Sequence, residues 1–194
     1  MSSVFFRAFE ADDYLLINKW RNDPEIQKLT GGTFRYVSSE REKEWVRDKI
    51  VNNITDIYLA ICLNDETKRM IGYCSINNIN YIHRIVSGGG LIIGEHKYRD
   101  GYTYIETMLM FLSYVFGTLN MNRVSCTILE DQKVSYTMAL LLHFKQEGLM
   151  RQSVYKNGKY HNEYILSILR DEYYDLCEKG EYEISSIIKN VKRK

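Results

Sequence analysis

The sequence lacks several features that mark particular classes of protein. It contains one proline in 194 residues and no stretch rich in Gly, Ser or Pro that would mark a linker. Its 26 Lys and Arg residues nearly balance 25 Asp and Glu residues, so it lacks the basic excess of proteins that bind nucleic acid. We therefore expect one folded domain with no nucleic-acid partner.

The cysteines and the hydrophobic runs exclude two further classes. Cys62, Cys74, Cys126 and Cys177 show no metal-binding spacing and have apolar neighbours, as buried thiols in a reducing compartment do. The first residues, MSSVFFRAFEADDY, do not read as a signal sequence, and no run reaches the roughly 18 apolar residues that span a bilayer. We expect a cytoplasmic protein without a metal or a membrane partner.

Apolar periodicity and turn residues predict alternating helices and strands. One helix is predicted to end at Asp23-Pro24, and a second to begin with a capping box formed by Ser39 and Glu42. Residues 103–118 and DQKVSYTMALLLHF predict two more helices, and Asn157-Gly158 is the strongest hairpin signal. The order β α α β β β α β α β β α predicts an α/β fold with a parallel strand pair between antiparallel hairpins.

Five segments together resemble one known family. They are RAFEADDYLLINKWRNDPEI, IGYCSINNINY, LIIGEHKYR, YVFGTLNMNRVSCTILEDQK and FKQEGLMRQSVYKNGKYHNEYILSIL. In order and spacing they resemble the GNAT superfamily of N-acetyltransferases, in the branch that acts on ribosomal-protein N-termini, polyamines and nucleotide amino sugars. The resemblance implies a mixed, mostly antiparallel central sheet with a splayed parallel strand pair and flanking helices. We assign residues 1–170 to this domain and residues 171–194 to a helical tail packed on it or extending from it.

The resemblance also implies an activity and a cofactor site. The activity is transfer of acetyl from acetyl-CoA to a primary amine of a small molecule or to a protein N-terminus. The small molecule would be an amino sugar, a polyamine or an amino acid. The backbone of Ile93 and Gly94 would contact the pantetheine, and Gln132 would contact CoA from a later helix. The pyrophosphate loop of the family reads Arg/Gln-x-x-Gly-x-Gly/Ala, which we align on Arg99, Asp100, Gly101, Tyr102, Thr103 and Tyr104.

That loop departs from the family pattern at both glycine positions. Tyr102 and Tyr104 stand there, and their Cβ atoms crowd the approach of a phosphate to the backbone. Asp100 adds a negative charge at the same place. Either the loop binds acetyl-CoA in an altered geometry, or it does not bind it.

The resemblance places the catalytic and substrate residues as well. Glu95 is either the general base or a solvated residue at the strand end, with water removing the proton instead. Ala139 stands where family members carry a proton-donating tyrosine, so Ser135 and Tyr136 are the substitutes within reach. The acceptor would contact a set of three polar residues: Arg21, Asn22 and Tyr36.

Two functional hypotheses follow. The first is a cytoplasmic N-acetyltransferase that uses acetyl-CoA. The alternative is a catalytically impaired protein of the same fold that binds a ligand or a partner, and substitutions at four cofactor or catalytic positions motivate it. The sequence leaves the acceptor amine open, and also whether the chain forms a homodimer.

Overall fold

The computed structural model describes residues 2–191, and it contains seven strands and seven helices in that range. The strands are β1 (Val4–Ala8), β2 (Ile57–Leu63), β3 (Met70–Asn80), β4 (Ile85–Ile93), β5 (Arg123–Leu129), β6 (Lys145–Lys156) and β7 (Lys159–Leu169). The helices are α1 (Tyr14–Arg21), α2 (Pro24–Leu29), α3 (Ser39–Val51), α4 (Gly101–Ser113), α5 (Lys133–Leu141), α6 (Arg170–Glu178) and α7 (Ile184–Val191).

The strands form one mixed sheet in the order β1-β2-β3-β4-β5-β7-β6. The β4–β5 pair is parallel, and β1–β2, β2–β3, β5–β7 and β6–β7 are antiparallel. The parallel ladder runs from Ile85–Arg123 to Ser87–Ser125, whereas β4 continues to Ile93. The predicted α/β fold with a mostly antiparallel sheet and one parallel strand pair is therefore confirmed.

The chain forms two compact units. Unit 1 contains the residues up to Ile79 together with Gly88–Thr107. Its core lies between α1, α3 and one face of β2 and β3, where Phe9, Trp20 and Tyr73 pack with aliphatic side chains. This face is apolar because the alternate residues Ala60, Cys62 and Tyr73 of the two strands point to the helices.

Unit 2 contains Asn80–Ser87 and the residues from Met108 onward. Its strands β5, β7 and β6 form an antiparallel sheet whose β6–β7 turn is Asn157-Gly158, and both turn residues have a positive φ. The predicted hairpin is confirmed. Phe116 packs on Tyr173 of α6, and the Arg170 guanidinium donates to the carbonyl of Phe116.

Of three local predictions at helix ends, one is confirmed and two were wrong. The first helix does stop before Asp23-Pro24, because α1 ends at Arg21; Asp23 then caps a further helix, α2, and Pro24 takes its first position, where the missing N–H costs nothing. The residue that caps α3 is Ser38 rather than Ser39, and Glu42 is buried instead of reaching back to the cap. Helix α4 begins two residues earlier than predicted and passes into a π-helical turn at Tyr114–Thr118.

The remaining general predictions have mixed outcomes. Cys62 and Cys74 are buried as expected, whereas Cys177 is exposed. Among residues 2–191, no helix is long and apolar enough to cross a bilayer, and no cluster of His, Cys, Asp or Glu has metal-binding geometry. Helix α6, apart from its first residue Arg170, and helix α7 lie in the predicted tail, whose last residues 192–194 are outside the described range. The division at residue 170 stays a prediction.

One ion pair in unit 2 makes stability depend on pH. The Arg123 guanidinium donates to both oxygens of Glu147, and the Ser167 hydroxyl donates to Oε1. These hydrogen bonds, that of Arg123 first, lower the pKa of Glu147 to about 2. A carboxylate with a lowered pKa stabilises the fold above its unfolded pKa, and this contribution is lost as pH falls through about 2.

We predict that Glu147→Gln lowers the urea midpoint of unfolding at neutral pH and that the difference from the unchanged protein disappears near pH 2. The control is Glu178→Gln, because Glu178 is exposed on α6. An equal loss at both pH values would contradict this account of the ion pair.

Candidate functional site

The end of β4 is held by the indole of Trp20. A Cβ atom on Gly94 would lie 2.0 Å from Trp20 Cδ2, so only glycine allows this packing. The indole Nε1 lies 3.4 Å from Glu95 Oε1, and Lys19 Nζ lies 3.7 Å from the same oxygen. Glu95 thus lies two residues after the end of β4 as a partly exposed carboxylate held from α1.

Arg99 is bound to the same strand end. Its Nε donates to the carbonyl of Ile93 at 3.0 Å, and its Nη2 donates to the carbonyl of Gly94 at 2.7 Å. Asp23 Oδ2 lies 4.0 Å from Nη2. The amides of Gly94 and Glu95 both donate to the carbonyl of Ile71, which gives the strand an irregular end. The side chain of Arg99 therefore stabilises the turn that leads into α4.

Asp100 caps α4. Its carboxylate accepts the N–H of Thr103 at 2.6 Å, and its carbonyl accepts the N–H of Tyr104. The N–H groups of Gly101 and Tyr102 have no hydrogen-bond partner among residues 2–191. Two amides at the positive end of a 13-residue helix are thus available to an anion, with one carboxylate already beside them.

The three predicted substrate residues of unit 1 differ in their surroundings. The side-chain amide of Asn22 donates to the carbonyls of Asn18 and Val37, and its oxygen accepts the N–H of Val37. Asn22 therefore ties the following loop to α1. Tyr36 lies on that loop and is 85% exposed. The Arg21 guanidinium stacks 3.9 Å from the ring of Trp45 and stays partly exposed.

The predicted residues of α5 belong to unit 2. Gln132 precedes the first turn of α5. The hydroxyl of Tyr136 donates to Gln146 Oε1 at 2.7 Å, and its ring packs on Tyr164. Ser135 is half-buried, and its hydroxyl has no partner in the part of the chain that the structure describes. Of the two substitutes for the missing tyrosine, Ser135 is thus the one that is not engaged elsewhere.

Glu42 was predicted to cap a helix, but it lies buried beside Arg21. Its carboxylate is fully buried, and Arg21 Nη1 lies 3.2 Å from Oε1 without forming an aligned hydrogen bond. Burial raises the pKa of Glu42, and the charge of Arg21 opposes the shift. The sequence did contain a signal that Glu42 is buried. Glu42 lies four residues before the apolar Val46, a spacing that puts both on one face of α3, and that face is buried.

The comparison with protein families identifies the class. Residues 3–145 match the model of the acetyltransferase (GNAT) domain. This stretch is well over half of the chain, and the fold described above has the element order that the resemblance implied. The chain belongs to the GNAT acetyltransferase family, and the resemblance is confirmed.

Individual relatives agree with this assignment. The chain is 30% identical over 105 residues to the uncharacterized N-acetyltransferase YoaA of Bacillus subtilis, a stretch that covers 54% of this chain and 58% of YoaA. It is 26% identical to the uncharacterized N-acetyltransferase p20 of Bacillus licheniformis, over 86% of this chain and 93% of p20. The spermidine N(1)-acetyltransferase of Vibrio cholerae is 24% identical, over 91% of this chain and 99% of that protein.

A solved structure has the same fold. The spermidine N-acetyltransferase of Vibrio cholerae in complex with CoA and spermine superposes with a TM-score of 0.79 at 23% identity. The match covers 90% of this chain and 99% of that one. Helix N-termini bind phosphate groups through their free amides, so the amides of Gly101 and Tyr102 are the groups at the start of α4 that could hold a pyrophosphate, and the charge of Asp100 beside them opposes an anion.

We predict that Asp100→Asn tightens CoA binding by about 0.5 to 1 kcal/mol, or about two- to fivefold. Asparagine still caps the helix but carries no charge to repel the pyrophosphate. Isothermal titration calorimetry measures the change. Pantetheine, which has no phosphate, is the control ligand and is expected to bind both proteins equally. A weaker or unchanged CoA affinity would contradict the proposed position of the pyrophosphate.

Proposed function

We propose that this chain transfers acetyl from acetyl-CoA to a primary amine of a small molecule. Membership of the GNAT family and the two unpartnered amides at the start of α4 support this proposal. The relatives named for spermidine acetylation favour a small amine over a protein N-terminus. A cytoplasmic location and a homodimer stay predictions from the sequence.

In this proposal the pyrophosphate lies at the amides of Gly101 and Tyr102. The glycine of the family loop then corresponds to Gly101, and its small residue to Thr103, one position earlier than the alignment on Arg99 gives. The shifted alignment agrees better with the structure, because Thr103 is buried and places no large side chain over the helix end. Tyr102 and Tyr104 then occupy positions where the family pattern sets no requirement for glycine.

The other cofactor contacts follow from the end of β4. Acetyl-CoA supplies an activated acetyl thioester when it is bound. The carbonyls of Ile93 and Gly94 each accept one bond from Arg99, and each keeps a second lone pair for the pantetheine. Arg99 is thus a positioning residue in this proposal, and Gln132 stays a predicted contact from α5.

Acetyl transfer requires a base that takes a proton from the acceptor amine and an acid that gives a proton to the leaving thiolate of CoA. We assign the base to Glu95, because its carboxylate is partly exposed and held by Trp20 and Lys19. We assign the acid to Ser135, because its hydroxyl is unengaged whereas that of Tyr136 is bonded to Gln146. Arg21, Asn22 and Tyr36 stay the predicted substrate residues, with Asn22 acting through the loop that it holds.

A second candidate function has one observation in its favour. The carboxylate of Asp100 already occupies the N–H of Thr103, an amide that would otherwise face an anion. A protein that binds a different ligand and transfers no acetyl group would tolerate this carboxylate. Thermal unfolding distinguishes the two candidates, because a ligand at 100 times its dissociation constant adds about 2.7 kcal/mol. The absence of any shift at millimolar acetyl-CoA would overturn the acetyltransferase proposal.

For turnover, we predict that Ser135→Ala lowers kcat by about a hundredfold with little change in KM. Tyr136→Phe is expected to keep kcat, because its hydroxyl serves Gln146. Release of the CoA thiol with spermidine as acceptor measures both. The matched control is Thr137→Ala, an exposed residue of the same helix. If Tyr136→Phe rather than Ser135→Ala abolished turnover, the two assignments would be reversed.

A further inference from the structure

The carboxylate that we assign as the base has a lysine of the chain itself as its neighbour. Lys19 Nζ lies 3.7 Å from Glu95 Oε1, the oxygen that the indole of Trp20 also approaches. Lys19 precedes Trp20 on α1, and Trp20 packs on Gly94. The packing that fixes the end of β4 therefore also brings a primary amine to the proposed base.

The side chain of Lys19 is free to move at this place. It is 69% exposed, and the Glu95 side chain is 24% exposed. A lysine amine sits on a flexible four-carbon stem, so Nζ can change its position without any change in the backbone. An ion pair open to solvent contributes at most about 1 kcal/mol, so little free energy holds Nζ in its present place.

The other cations near the end of β4 are placed differently. Lys97 is two residues from Glu95 in the sequence, but its Nζ lies 5.4 Å from the ring centroid of Tyr98. Arg99 donates to two backbone carbonyls, and its guanidinium keeps its charge at neutral pH and is no nucleophile. Of these three cations, Lys19 is thus the one whose amine faces Glu95.

Transfer of an acetyl group to Lys19 would follow the same chemistry as transfer to a free amine. An ammonium group has no lone pair, so Nζ first gives a proton to Glu95. The amine then attacks the thioester carbon of acetyl-CoA: the C–N bond forms, the C–S bond breaks, and the second proton lost by nitrogen goes to the thiolate. The products are acetylated Lys19, free CoA and one proton that Glu95 releases to solvent. The step needs no oxidant and no further reactant.

We propose that the protein acetylates its own Lys19, with acetyl-CoA as the donor and Glu95 as the base. This inference rests on the proposed function, because it uses the same donor and the same base. The step is intramolecular, since Lys19 and Glu95 belong to one chain and to one compact unit. Acetylation removes the positive charge of Lys19 and leaves Glu95 without its cationic neighbour.

The test measures which lysines become acetylated when the full chain is incubated with acetyl-CoA alone. Peptide mass spectrometry gives the acetylated fraction of each lysine over time. The matched control is Lys28, whose side chain is also 69% exposed and whose Nζ also pairs with a carboxylate, that of Glu25. Direct chemical acetylation would affect both lysines alike. We expect Lys19 to react at least about tenfold faster than Lys28, because it alone has the proposed base and donor beside it.

Two variants test the roles of the two residues. Glu95→Gln removes the base but keeps an oxygen that accepts from the indole of Trp20. In this variant we expect the rate at Lys19 to fall to that at Lys28, while Lys28 is unaffected. Lys19→Arg keeps the charge and removes the nucleophile, so the total number of acetyl groups is expected to fall while the unfolding midpoint stays. If Glu95→Gln does not fold, the comparison of Lys19 with Lys28 in the unchanged protein decides alone.

The outcomes separate this inference from the proposed function. Equal rates at Lys19 and Lys28 in a protein that binds acetyl-CoA would overturn the inference, and so would an unchanged rate at Lys19 in folded Glu95→Gln. A rate at Lys19 that falls when the protein is diluted at constant acetyl-CoA would overturn the intramolecular step. A protein that acetylates spermidine but not Lys19 would keep the proposed function and lose only this inference. The absence of acetyl-CoA binding would overturn both.

Discussion

The packing of Trp20 on Gly94 is the contact on which the features of unit 1 depend. It joins the last turn of α1 to the end of β4, and a side chain at position 94 would push the two apart. Glu95 follows Gly94 in the chain and accepts from the same indole, while Arg21 follows Trp20 and reaches Glu42. One buried aromatic ring thus contacts the proposed base, and the residue that follows it in α1 pairs with the buried Glu42.

Polar groups near this contact serve structure and chemistry at once. Arg99 is the cation that the family pattern places near the pyrophosphate. In this chain its guanidinium donates to the carbonyls of Ile93 and Gly94, so it also stabilises the turn before α4. Asp100 in turn caps α4 with a carboxylate. The helix gains a cap worth about 1 kcal/mol, and the proposed cofactor site gains a negative neighbour. In the proposed function, the residue that caps α4 therefore also lowers the affinity of the helix start for the cofactor.

Much of the fold was predictable from local signals. The Asn157-Gly158 hairpin and the parallel strand pair followed from turn chemistry and from the alternation of strands and helices. Glu42 was assigned to a cap because a capping box and a buried helix position share the same sequence pattern, and its partner Arg21 comes from a different helix, 21 residues earlier in the chain. The hydrogen bonds between Asn22 and Val37 could not be predicted for the same reason, because these two residues become neighbours only in the folded chain.

The central claim is that the start of α4 binds the pyrophosphate of acetyl-CoA. Backbone amide chemical shifts during a titration with CoA test it most directly, because the shifts report on individual N–H groups. The account predicts that the largest changes occur at Gly101 and Tyr102, the two amides without partners. Saturable CoA binding that leaves these two amides unchanged would contradict it.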